Sequence, residues 1–218
     1  MIKKLFVLRE PRCGGSMLSA FIVHSYFQKH NLPIESRYYT DSHDFTLLER
    51  EVINCESPFV IRINRRNLTE HMLSKMAIEI VDNQFTNLTP EQPQSILWDR
   101  IKISKVEVTT GDVESYIASK ITLELKILSY IKNFNIPYHE VWYEDAMSNV
   151  FDIPQLELYN LDVKKNGAGT TFQLPEYKRN VFTNYDQVPK WMRKYKDAYI
   201  KKHNLEKLLE YWTSHTSC

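Results

Sequence analysis

Glycine is scarce in this chain, at five residues in 218, and so is cysteine, at three. The cysteines stand at 13, 55 and 218, an odd and scattered set that is neither a disulfide framework nor a zinc-ligand spacing. A reduced, cytoplasmic setting is the expectation that follows. Long apolar runs are also lacking. The first, Leu5 to Leu8, is too short for a signal peptide or a transmembrane helix. The seven histidines include no His-x-x-x-His pair, so no metal site is expected. Neither sign of charge dominates: 28 Lys and Arg stand against 27 Asp and Glu. A chain so balanced has no global field for nucleic acid or an acidic membrane, and no nucleic-acid partner is expected.

What is present is ordinary globular composition, with 43% hydrophobic residues. The length suits a single α/β domain over residues 1–218, with a helical C-terminal extension at about 186–214. Residues 3–8 and 58–64 read as buried strands, and "RYYTD" as another. Apolar spacing predicts helices from Ser16 to about His30, over "TLLEREVI", from Arg65 onward with Leu68, Met72 or Leu73, Met76 and Ile80 inward, and from about Asp112 to Phe134. Pro33 should end the first. "IPYHEVWYED" reads as loop and strand, followed by a helix from Ala146. Residues 87–95 and 164–180 read as connections. In the basic tail, Trp191, Tyr195 and Tyr199 recur at helical spacing and should pack on a sheet, leaving the lysines in water. Strands alternating with helices predict a mostly parallel sheet covered by helices on both faces.

Two turns at strand ends carry the chemistry. In "LREPRCGGSMLSAF" two of the five glycines are adjacent, after an arginine and before a helix. Backbone N–H groups at a helix start, flexible glycines, a serine hydroxyl and a guanidinium together suit a phosphate. No Lys-Ser/Thr pair follows, which disfavours a Mg²⁺-dependent kinase or ATPase. In "IRINRRNLTEHMLS" Arg65 and Arg66 end a strand, and Ser74 follows Arg66 by eight residues, just over two helical turns. An arginine and a serine so spaced can pinch a second phosphate.

Taken together the two turns resemble the cofactor signatures of sulfotransferases that use PAPS (3′-phosphoadenosine-5′-phosphosulfate). "PRCGGSML" is similar to the family's 5′-phosphosulfate loop at Pro11, Arg12, Gly14 and Ser16, and departs from it at Gly15, where Ser or Thr is usual. "RNLTEHMLS" is similar to its 3′-phosphate signature at Arg66 and Ser74. "WYEDAM" resembles the family's late Tyr-Glu-Asp element, with Ala146 in place of its leucine. The arginine at 12 and the "RRN" sequence are closer to the bacterial carbohydrate and tyrosylprotein branches than to the cytosolic, lysine-bearing branch.

The resemblance implies a P-loop-like α/β fold and in-line transfer of a sulfuryl group from PAPS, without a metal, to an acceptor hydroxyl. A carbohydrate acceptor comes first, then a tyrosine or a small metabolite. It implies cofactor contacts from Arg12, Cys13, Gly14, Gly15, Ser16, Met17, Arg66, Ser74 and Tyr143, with Lys178 or Arg179 in "EYKRN" as a further contact to the 3′-phosphate. Arg12 would stabilise the departing phosphate. Glu35 would be the general base, with His43 and Asp44 as rivals. Two other classes stay open: an atypical P-loop nucleotide or nucleoside kinase, and a non-catalytic relative that binds a phosphorylated ligand.

Overall fold

A computed structural model describes residues 4–9, 15–35, 39–42, 44–84, 105–164, 179 and 181–207, with the backbone alone at 15, 16, 47, 48 and 78–84. The chain divides into two compact units, neither of them a continuous segment: 1–66 with 125–173, and 67–124 with 174–218.

The first unit holds the sheet. Strands β1 (Lys4–Arg9), β2 (Tyr39–Ser42), β3 (Pro58–Asn64) and β4 (Tyr138–Trp142) lie in the order β2-β1-β3-β4, every pair parallel. Near-continuous apolar sequence makes β1 and β3 central strands, because a parallel sheet is covered on both faces. Leu5, Val7, Phe59, Ile61 and Ile63 are buried on one face, with Leu18, Ile22, Tyr26 and Phe27 of helix α1 (Gly15–Lys29). Phe6, Leu8 and Val60 alternate with them and face the opposite way. Helix α2 (Phe45–Ile53) lies against β1, and the end of the long helix α4 (Thr110–Asn133) packs on α2 through Phe45 and Tyr130, whose rings are 5.4 Å apart. Right-handed crossovers explain the arrangement. The chain leaves β1 for β2 on one side and later enters β3 on the other, so its two connecting helices take opposite faces.

The scarcity of glycine has a visible counterpart. Four of the five non-glycine residues with positive φ among the described residues are asparagines. Asn31 (φ 50°), Asn135 (φ 47°) and Asn204 (φ 53°) each follow a helix. In each case the next amide reaches back to close the last turn: Leu32 to Phe27 O, Ile136 to Ile131 O and Leu205 to Ile200 O, at 2.9, 3.0 and 3.0 Å. These are left-handed helix caps with asparagine in glycine's usual place. Helix α1 therefore stops at its asparagine cap, before Pro33 is reached.

A hairpin, β5 (Phe151–Ile153) and β6 (Leu158–Leu161), completes the core under α1 with Ile153, Leu156, Leu158 and Leu161. It lies beyond a short helix, α5 (Tyr143–Ser148), that starts as soon as β4 ends. Here the structure corrects the sequence reading, which carried the strand through Asp145 and began the helix at Ala146.

The second unit holds α3 (Leu68–Gln84), the first part of α4 and α6 (Val188–Lys202), and a bridge between Val106 and Phe182 pairs the segments that precede α4 and α6. Asn67 accepts from Glu70 N at 3.1 Å, so α3 opens two residues after Arg66 rather than at the arginines. Thr109 and Asp112 exchange hydrogen bonds across a capping box and start α4 at Thr110. Of the inward residues expected on α3, Met72 and Leu73 are buried, and the second unit also buries His71, Ser74 and Ala77. On α6 the buried stripe is Val188, Met192 and Ile200, while the expected Trp191, Tyr195 and Tyr199 are half-buried. This helix packs on α3. No helix among the described residues is long and apolar enough to cross a membrane. Residues 87–95 and 165–178 lie outside the described residues.

His139 on β4 supplies a pH test of the first unit. Burial holds its pKa below the ordinary histidine value, and a hydrogen bond with Gln155 opposes the shift only in part. Below about pH 6.5 the unfolded chain takes up a proton at this position that the folded chain resists. Its contribution is therefore complete above that pH and is lost as the pH falls toward the folded value. Urea unfolding at about pH 7.5 and 5.5 should show an acid loss of stability that shrinks in His139→Leu. An equal loss in both proteins would show that His139 is not responsible.

Candidate functional site at the carboxyl ends of the strands

In the order β2-β1-β3-β4 the strand order reverses between β1 and β3, and ligands of such sheets bind beyond the carboxyl ends at that point. Arg9, Ser42, Asn64 and Trp142 are the last residues of their strands. The residues just past β3 and β4 form a polar cluster in the first unit.

Its centre is the turn after β3. The backbone N–H of Arg65 donates to Asn64 Oδ1 at 2.8 Å and that of Arg66 to Glu144 at 3.0 Å. The Arg66 guanidinium donates from both terminal nitrogens to Asp145, at 2.5 and 2.6 Å, and lies 5.0 Å from the centre of the Trp142 ring. Arg65 lies 4.9 Å from the Tyr143 ring centre and 3.5 Å from Glu144. Beneath the turn, Glu140 accepts from Asn64 at 3.0 Å and stands 3.6 Å from the buried Arg62. Positions 60, 62 and 64 alternate on one face of β3, and 140 and 142 on β4, so the pleat brings these polar groups together.

The "RRN" and "YED" sequences are thus in direct contact, although 79 residues separate Arg66 from Asp145. Starting α5 at Tyr143 is what turns both carboxylates toward the arginines. The Nε of Arg66 is buried and meets no hydrogen-bond acceptor among the described residues. A buried donor left this way is costly, so the geometry calls for an acceptor that these residues do not supply. Asp145 holds the tip of the guanidinium and leaves its side edge for that acceptor.

The sequence reading singled out Arg66 and Tyr143 and passed over their partners Glu144 and Asp145, although both stand in the quoted "WYEDAM". It also passed over a network at the end of β1. There Arg9 Nε donates to Asp41 Oδ1 at 2.6 Å, and Ser19 on α1 donates to Asp41 Oδ2 at 2.8 Å.

Gly15 and Ser16 open α1, where backbone N–H groups lack intrahelical acceptors, and Met17 packs its side chain on the core. Arg12, Cys13, Gly14 and His43 lie outside the described residues. Glu35 is exposed beyond the end of α1. Asp44 caps α2, accepting from Thr46 N at 2.8 Å, which gives this rival base a structural task. Ser74 belongs to the second unit, is buried, and donates its hydroxyl to Glu70 O at 2.7 Å. Arg179, in the same unit, lies 5.4 Å from the Tyr185 ring centre. Burial and a 2.5 Å hydrogen bond to Glu70 push the Tyr185 phenol up to about 12, so it stays a neutral donor.

No group of three His, Cys, Asp or Glu side chains suited to a metal is found among the described residues. No family model matches the chain, and no curated protein or solved structure matches it significantly.

Proposed function

We propose that the protein is a PAPS-dependent sulfotransferase that moves a sulfuryl group to an acceptor hydroxyl, with a carbohydrate as the first acceptor class. The observation that carries the reading is the contact between the "RRN" turn and the "YED" turn at the carboxyl ends of β3 and β4, with the buried Nε of Arg66 in want of an acceptor. Both sequences were singled out for one family's chemistry, and both stand at the end of the sheet where ligands of this architecture bind. The turn after β1 leads into α1 at that same end.

PAPS supplies the sulfuryl group. The S–O bond to its phosphate breaks as a new S–O bond forms to the acceptor oxygen, whose proton passes to a base. Arg12 and the N–H groups at the start of α1 stabilise the negative charge that grows on the departing phosphate. Glu35 takes the acceptor proton, with His43 as its rival.

Incubation of the full chain with radiolabelled PAPS and a panel of sugars, tyrosine peptides and small alcohols tests the reading. Label should appear in a sugar ester without added metal, and Glu35→Ala should lower the rate about a hundredfold or more. Phosphate transfer from ATP–Mg²⁺ with no sulfate transfer would replace this function with the kinase reading. PAP binding without turnover on any acceptor would favour the non-catalytic relative.

A further inference from the structure

We propose that Asp41 is a positioning residue that sets the start of α1 against the end of β1, an inference that rests on the sulfotransferase reading of that end of the sheet. Arg9 ends β1, and Ser19 lies in the second turn of α1, so the two residues bracket "EPRCGGSML" in the chain. One carboxylate, reaching from β2, holds both: Oδ1 takes Arg9 Nε at 2.6 Å and Oδ2 takes the Ser19 hydroxyl at 2.8 Å. Asp41 is itself set by the sheet, since its strand pairs with β1 and places it opposite Val7.

The arrangement is lopsided in a telling way. Ser19 is 1% exposed, whereas the Asp41 side chain keeps 23% of its surface in water. A partly hydrated acid holds the buried hydroxyl of a helix and the guanidinium of a strand at once. Both bonds involve an ionised group and are short, which fixes direction as well as distance. The end of β1 and the start of α1 therefore keep a set separation, and the backbone N–H groups at the start of α1 are oriented before the donor arrives. Pre-organisation of this kind acts on ligand affinity because less ordering is left for the binding step.

Asp41→Asn is the diagnostic change. An amide is uncharged and has one acceptor oxygen, so the charge-assisted bond to Arg9 is weakened and the Ser19 hydroxyl is left at most to accept from the NH2 in place of donating to a carboxylate. The full chain is titrated with PAP, adenosine 5′-phosphate and adenosine 3′-phosphate, and thermal unfolding is recorded for each variant. Asp41→Asn should bind PAP and adenosine 5′-phosphate about tenfold more weakly and adenosine 3′-phosphate unchanged. Ser19→Ala should follow the same pattern at about threefold, and it carries the test if the first variant does not fold. Equal weakening toward all three ligands would mean general damage and overturn the proposal, as would no weakening at all. If the native chain binds none of them, the sulfotransferase reading fails. If it binds PAP and both variants match it, the role of Asp41 alone fails.

Discussion

Arg66→Ala is expected to weaken PAP binding, and kcat/KM with PAPS, by about a hundredfold while leaving the unfolding midpoint nearly unchanged. The two effects separate because of where the arginine's partners sit. Asp145 is 45% exposed on its side chain, so water takes over its solvation once the guanidinium is gone, and an exposed pair adds little to stability. A phosphate held by the same guanidinium loses charge-assisted hydrogen bonds that no neighbour replaces. Arg66→Lys should recover only part of the affinity. An ammonium cannot hold Asp145 with two parallel bonds and offer a second edge to a phosphate. Titration calorimetry with thermal unfolding checks both halves. Full PAP affinity in Arg66→Ala would remove this residue from the donor site, and a collapse of the midpoint would make it a structural one.

The largest stability effect is expected in the second unit, at a pair without an assigned part in the chemistry. Lys120 and Glu124 stand one turn apart on α4 with 2.7 Å between ammonium and carboxylate, and their side chains are 2% and 0% exposed. Removing one partner leaves the other charge to bear the cost of burial. Glu124→Leu should therefore lower the unfolding free energy by about 3–5 kcal/mol. Lys120→Met with Glu124→Leu should be far less harmful, at about 1 kcal/mol from native or better, because two apolar side chains of similar volume need no desolvation of charge. Urea unfolding of the single and double variants measures the coupling. A double variant as unstable as the single one would show that the pair does not act as a unit.

The parts of the fold that were legible in the sequence are those written as burial. "PFVIRIN" sits between helices on both faces, and its apolar run marks β3 at both boundaries. Helix α1 and α4 were placed within a residue or two by their apolar spacing, with the residual error at α4 traced to the Thr109–Asp112 capping box. Asparagine caps went unread because asparagine is a less distinctive stop signal than glycine. The β5–β6 hairpin went unread because its strands are three and four residues long and joined through a left-handed Glu157. For the site, a motif showed which residues carry charge but not what they face. Asp145 and Arg66 meet only because β4 pairs with β3 in the register that sets Trp142 beside Asn64. Asp41 offered no motif at all, and its role comes from the pairing of β2 with β1.

The account turns on two anion sites acting on one ligand, and the affinity of PAP relative to its two halves measures that most directly. Linked phosphates bound at two sites add their contributions, so PAP should bind about a hundredfold or more tightly than either adenosine 5′-phosphate or adenosine 3′-phosphate. Affinities equal to that of one monophosphate would leave a single anion site and contradict the account.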